Sequence, residues 1–133
     1  AAACALAMEA EMHRLNRGWR ETGRPEAGMR VGICTGLAVA GTVGSSRRMK
    51  YTTIGDTVNT AARLEQFDKS LARESLCRIL ICESTLVCLG NAFFTEKIGA
   101  FHLKGKDKEV VVYRLHGWKR DERGSLSGKE ERA

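Results

Sequence analysis

Residues 29 to 44, MRVGICTGLAVAGTVG, alternate Val31 with Ile33 and then Leu37 with Val39 on either side of Gly36. Alternation at period two is the mark of half-buried strands, and a glycine at the reversal predicts two strands joined by a tight hairpin. The residues ahead of it keep a different period. Ala1, Ala5, Met8, Met12, Leu15 and Trp19 fall on one helical stripe, while Glu9, Arg14, Arg17 and Arg20 fall elsewhere. Hairpin strands interleaved with amphipathic helices restrict the chain to the α+β class, with a mixed sheet packed against helices.

The remaining segments follow the same scheme. ETGRPEAG is a polar turn, SSRRMK an exposed basic loop, and YTTI a short strand leading into Gly55. Asp56 suits an N-cap, and Val58, Ala61, Leu64, Phe67 and Leu71 supply the buried stripe of a helix ending near Ser70. CRILIC reads as a buried strand and STLVCLG as a short helix with Ser84 as cap and Gly90 as stop. FFTEKIGAFHL predicts a strand with an irregularity at Gly99, KGKDKE a hairpin turn, and VVVYRL a final strand. From Gly117 the apolar periodicity is lost, so residues 1–116 are expected to form the domain and 117–133 a polar, flexible tail.

Composition narrows the function classes. With 133 residues, 43% of them hydrophobic, the chain can bury one core. Its net charge of +6 points to an anionic partner without separating nucleotides, nucleic acid and membrane surface. Aromatic residues are only 6%, which argues against a nucleic-acid-binding domain resting on the SSRRMK loop. Five cysteines without a C-x-x-C pair predict buried reduced thiols and a cytoplasmic setting rather than a disulfide framework or zinc site. AAACALAM is too short to span a membrane, so no membrane contact is expected from this segment. The chain starts with Ala, inside a helical pattern, as part of something longer would.

Familiar signatures are missing. GLAVAGTVG lacks dinucleotide-fingerprint spacing, GKD is followed by no Ser or Thr, and His13, His102 and His116 form no ligand pair. Asn59 and Arg63 stand out instead, because at i and i+4 their side chains share one helix face. Taken alone, with Gln66 and Ser70, they read as an exposed polar ridge. Their company suggests more: Tyr51, Thr52, the Gly55 turn and the basic turn Lys104-Gly105-Lys106 all lie at strand ends, and such a turn suits phosphate oxygens.

The run GICTGLAVAGTVGSSRRMKYTTIGDTVNTAARLE, followed by ILICESTLV and FHLKGKDKEVVVYRL, closely resembles the catalytic domain of class III adenylyl/guanylyl cyclases, from about Leu6 to Leu115. The most specific part is Gly41 to Glu65. Cys34 departs from it, since relatives more often carry His or Asn before the TG; the change is expected to be tolerated. The resemblance implies a ferredoxin-like cyclase fold, here without its first strands and helices. It implies that a ribose 3′-hydroxyl attacks the α-phosphate and pyrophosphate leaves. It further implies that Arg63 neutralises transition-state charge, that Asn59 orients the ribose, that Lys104 holds the terminal phosphates and that Thr52 selects the base. Threonine there goes with adenine and cysteine with guanine, which favours ATP as substrate and cyclic AMP as product.

The family's two Mg2+ (or Mn2+) ions are held by two aspartates, in an Asp-x-x-Gly-Phe-Thr-like segment and a later Gly-Asp hairpin. Neither segment occurs here, so no metal ligand is expected in this chain, and Asp56 is assigned to capping. Family sites form between two protomers, and the residues present match those given by the partner of the metal-binding protomer. A homodimer or a complementary cyclase protomer is therefore the expected partner, and the chain alone is expected to be inactive. An incomplete sheet would expose apolar surface and unpaired edges. Three readings remain: part of an adenylyl cyclase domain for intracellular signalling, a guanylyl cyclase, or an incompetent cyclase-homology module that binds nucleotide or a cyclase partner. An intact protein anchored in a membrane by other segments is compatible with all three.

Overall fold

The computed structural model describes residues 1–45, 47–67, 76–102 and 109–119. In chain order the elements are α1 (Ala2–Glu21), β1 (Met29–Ile33), β2 (Val39–Ser45), β3 (Arg48–Ile54), α2 (Asp56–Gln66), β4 (Cys77–Cys82), α3 (Glu83–Leu89), β5 (Phe93–Phe101) and β6 (Val110–Trp118). A mixed four-stranded sheet runs β1-β4-β6-β5, and β2 and β3 form a separate two-stranded ribbon. The α+β architecture read from the sequence is the one observed.

β4 organises the core because every residue of CRILIC is buried. Successive side chains of a strand point to opposite faces. Ile79 and Ile81 accordingly join Ala2, Ala5, Phe93 and Leu115 on the face covered by α1 and α3. Leu80 and Cys82 join Leu64 and Val112 on the face covered by α2. Helix α2 reaches β1 without a spacer: a Cβ on Gly32 would lie 2.1 Å from the Ala61 carbonyl oxygen. Arg30 of β1 also pairs with Glu65 of α2 at 3.0 Å, fixing the helix along the strand.

Four local expectations give way to tertiary context. The hairpin at Gly36 does not form. β1 pairs in parallel with β4, Val31 opposite Ile79 and Ile33 opposite Ile81, while β2 pairs antiparallel with β3 from Val39↔Ile54 to Ser45↔Arg48. Alternation reports a half-buried strand but not its partner, and β1 found a buried neighbour far along the chain. The reversal lies within SSRRMK instead, so that Arg48, Met49 and Lys50 belong to β3 rather than to a loop.

The α1 stripe holds at Ala5, Met12, Leu15 and Trp19, which are buried or half-buried, and fails at Ala1 and Met8. Ala2, Ala5 and Asn16 are buried, whereas Ala1 is exposed and Met8 is 50% exposed. Asn16 turns inward because it donates Nδ2–H to the Ala27 carbonyl (2.8 Å) and accepts the Ala27 N–H on Oδ1 (2.9 Å), which satisfies a buried amide. Neither expected helix cap is a cap. Gly55 occupies the cap position of α2 and Asp56 its first helical residue. Cys82 precedes α3, and Ser84 donates its hydroxyl to the Thr35 carbonyl at 2.7 Å. Gly90 does end α3.

β5 is irregular between Lys97 and Gly99 as predicted, with a second register shift between Phe94 and Thr95. β6 runs two residues beyond the expected domain boundary, through Gly117 and Trp118. The Trp118 ring packs 4.2 Å from Phe93, and Lys119 N–H bonds the Ala92 carbonyl at 3.0 Å. The expected end of α2 near Ser70, the KGKDKE turn apart from Glu109, and the tail from Arg120 lie outside the described residues.

Candidate functional site

The site predicted from the sequence is divided between α2 and the β2–β3 ribbon. Gly55 joins them, and the Asn59 N–H closes the first helical turn on the Gly55 carbonyl at 3.1 Å. Thr60 Oγ1 donates back to the Asp56 carbonyl at 2.8 Å, so this hydroxyl stays within the helix. Asn59 is exposed. Arg63, one turn further on, is half-buried, and its Nη1 is shielded from solvent without a hydrogen-bond partner among the described residues. A donor in that condition normally loses on the order of 1–3 kcal/mol until an acceptor reaches it. Fixed donors of this kind are suited to an incoming anion.

Thr52 lies on β3 directly opposite Gly41 of β2. Gly41 presents no side chain there, and a Cβ built on it would meet nothing within 4 Å. The half-buried Thr52 hydroxyl therefore has open space beside it. The ribbon also carries exposed apolar side chains on both faces: Val39 (73% exposed), Val43 and Ile54 on the face of Thr52, and Met49 and Tyr51 on the other. Leu37, just ahead of the ribbon, is 95% exposed. A patch of this kind marks an interaction surface. Lys104 lies outside the described residues, so the structure brings together Asn59 and Arg63 on α2, carries Thr52 on the adjoining ribbon, and leaves the fourth predicted residue aside.

A separate cavity of about 270 Å³ opens where β1 and β4 end against the first turn of α2. Its lining includes Cys34, Cys82 and Thr57, with the exposed carboxylates of Asp56, Glu83 and Glu109. Thr52, Asn59 and Arg63 do not line it. Among the described residues its lining carries no Lys or Arg, and the loop with Lys104 that leads to Glu109 lies outside them. Cys82 is buried, which raises its pKa. Hydrogen-bond contacts with Ser84, Thr85 and Cys34, and the bond from the Thr85 backbone N–H, outweigh that effect and bring the thiol down to about 7. On the other face of β4, burial pushes the Cys77 thiol up. Cys4 and Cys88 are exposed, so only part of the expected thiol burial is realised.

Sequence reasoning missed two features. Arg78 stands in CRILIC as an apparent break in an apolar run, yet it is 2% exposed and bonds carbonyls at the end of α2. The Cys34–Cys82 contact joins residues 48 positions apart, and only the parallel pairing of β1 with β4 reveals it. Among the described residues no group of three or more His, Cys, Asp or Glu side chains could hold a metal ion. A pair of magnesium ions does not fit the side chains described here. No helix among the described residues is long and apolar enough to cross a membrane.

Comparison with known proteins gives a consistent result. The family described as adenylate and guanylate cyclase catalytic domain matches residues 1–117. Adenylate cyclase 1 of Rhizobium meliloti (strain 1021) is 36% identical over 114 residues, covering 86% of this chain and 16% of that protein. The adenylate cyclase of Anabaena cylindrica is 37% identical over 98 residues, covering 71% of this chain and 19% of that protein. Among solved structures, the adenylyl cyclase CyaB from P. aeruginosa superposes with a TM-score of 0.74 at 32% identity, covering 87% of this chain and 57% of that one. The guanylyl cyclase Cya2 gives 0.67 at 25% identity, covering 93% and 60%. The chain thus spans a small part of these curated relatives and somewhat over half of the structures.

Proposed function

The chain belongs to the adenylate and guanylate cyclase catalytic-domain family, and from that premise we propose that it supplies one side of an adenylyl cyclase active site. The reaction is closure of ATP to cyclic AMP: the ribose 3′-oxygen loses its proton and bonds the α-phosphorus, the bond to the β-phosphate oxygen breaks, and pyrophosphate leaves. The observation that carries this reading is the shielded Nη1 of Arg63, unpartnered among the described residues, one turn along α2 from the exposed Asn59 amide.

Arg63 supplies planar, permanently charged donors to the α-phosphate as negative charge grows there. Asn59 orients the ribose, a positioning effect that brings the 3′-oxygen into line. Thr52, with space opposite it at Gly41, accepts a hydrogen bond from the adenine amino group. Lys104 holds the terminal phosphates. The divalent ions belong to carboxylates supplied from elsewhere, since the described residues offer no set for them. The exposed apolar ribbon supports assembly with a second cyclase protomer, either another copy or a complementary chain, that brings those carboxylates.

The test is complementation. The chain is mixed with a cyclase protomer that keeps its metal-binding aspartates but has alanine at its own Asn and Arg positions. Cyclic AMP formed only by the mixture supports the proposal. A stable mixed complex that binds ATP and forms none leaves the chain as an incompetent binding module and overturns it.

A further inference from the structure

Cys34 and Cys82 follow the paired residues Ile33 and Ile81 at the ends of neighbouring parallel strands. Their sulfurs are 3.0 Å apart on the wall of the acidic cavity, and neither is in a disulfide. Cys34 is half-buried and Cys82 buried. Adjacent parallel strands hold their Cα atoms at a separation of about 4.8 Å, within the range a disulfide spans. The cyclase reading uses neither thiol, and neither lies beside Thr52, Asn59 or Arg63 along the chain.

We propose that Cys34 and Cys82 form a reversible thiol–disulfide exchange site that takes a small cationic or neutral disulfide from the cavity. Cys34, the more accessible sulfur, gives up its proton and attacks one sulfur of the incoming disulfide. Its partner sulfur leaves as a thiolate and is protonated, which leaves a mixed disulfide on Cys34. Cys82 then attacks the Cys34 sulfur as a thiolate, and the second half of the reagent leaves. Two electrons pass from the cysteine pair to the reagent: one disulfide bond breaks, one forms between Cys34 and Cys82, and two small thiols are released.

Two observations fit Cys82 for the resolving step. Ser84 (3.0 Å) and Thr85 (3.3 Å) stand within hydrogen-bond distance of its sulfur. Those contacts, with the one to Cys34, outweigh burial and leave a thiolate accessible near neutral pH. In the thiol state Cys82 donates to Cys34; once ionised it accepts instead. Among the described residues the charged side chains lining the cavity are Asp56, Glu83 and Glu109, all acidic, which sets the preference for a cationic reagent. Closing the bond would tether the segment that carries Gly36, where a Cβ would lie 2.5 Å from Thr57 Oγ1 in the first turn of α2.

The experiment treats the reduced, folded chain with cystamine or with the dianionic 3,3′-dithiodipropionate and maps the products by mass spectrometry. The expected product is a Cys34–Cys82 cross-linked peptide, formed about tenfold faster with cystamine. The variant Cys82→Ser should stop at a mixed disulfide on Cys34. Modification of the exposed Cys4 and Cys88 with no cross-link in the wild-type chain overturns the proposal, and equal rates for the two reagents overturn its charge preference. The wild-type mapping decides the matter even if the variant misfolds, and it does not depend on cyclase activity.

Discussion

The guanidinium of Arg78, buried in the central strand β4, ends on the last carbonyls of α2: its Nη2 donates to Glu65 O at 3.3 Å and to Phe67 O. A helix C-terminus carries partial negative charge and unsatisfied carbonyls, so a cation there is favourable on both counts. The residue that interrupts the apolar run of β4 thus fixes the helix that carries Asn59 and Arg63. Replacing Arg78 with Met keeps the volume and removes the donors. A loss of about 1.5–3 kcal/mol is expected, as for other hydrogen bonds to charged groups, read as a lower urea midpoint.

Gly32→Ala tests the contact between β1 and α2. Because the added methyl would meet helix backbone at 2.1 Å rather than a flexible side chain, α2 must move away from the sheet. Overpacking of this kind costs about 1–3 kcal/mol. Denaturation should show that loss, and complementation activity should fall further than stability explains, because Arg63 moves with the helix. Activity that merely tracks the folded fraction would contradict the second expectation.

Arg63→Ala should lower kcat by about 10³-fold or more in the complementation assay while changing KM little, which is the pattern of a contact made in the transition state. Arg63→Lys keeps the charge but not the planar donors and should recover only part of the rate. Equal losses in kcat and in ATP affinity would assign Arg63 to ground-state binding instead.

Thr52→Cys should reduce the preference for ATP over GTP. An unchanged ratio would put selection elsewhere. Gly41→Val fills the open space opposite Thr52 and should weaken nucleotide binding with little change in stability, since nothing lies within 4 Å of the added Cβ.

The Cys82 thiol gives stability a pH dependence of defined sign. Its pKa is about 7 when folded, below the value of about 8.5 for an unfolded thiol. Between those values the unfolded chain binds more protons, so stability rises with pH across the window. This contribution is complete above the unfolded pKa and is lost as pH falls through about 7. Urea midpoints of the wild-type chain, compared with Cys82→Ser from about pH 6 to pH 9, should diverge with rising pH; parallel curves would refute the assignment.

How much of this was readable beforehand depended on whether the signal was local. β4 was legible because the apolar run of CRILIC outweighs its single arginine, and α2 because its apolar spacing survives in Leu64 and Ala61. The Gly99 irregularity was legible because a glycine within an apolar strand is itself a local break. Partners were not. Val31 and Ile33 alternate as a hairpin strand would, yet β1 lies beside residues nearly fifty positions away. The inward turn of Asn16 depends on Ala27, and the burial of Arg78 on carbonyls of another element. Asn59, Arg63 and Thr52 were singled out by type, spacing and resemblance; the geometry adds the shielded Nη1 and the space over Gly41. The Cys34–Cys82 pair left no trace in the sequence, because it exists only where two parallel strands end together.

The ribbon and the sheet should also differ in how their amide protons exchange with solvent. β4 is hydrogen-bonded on both sides, by β1 and β6, so its protons should exchange only when the whole domain opens. β2 and β3 have only each other among the described residues, and their apolar side chains face solvent. Their protons should exchange through a far less costly opening, and slow sharply once a second protomer covers them. Part of the energy of assembly is then spent on stilling the strand that carries Thr52. On the cyclase reading, purine choice becomes a property of the assembled pair rather than of either chain alone.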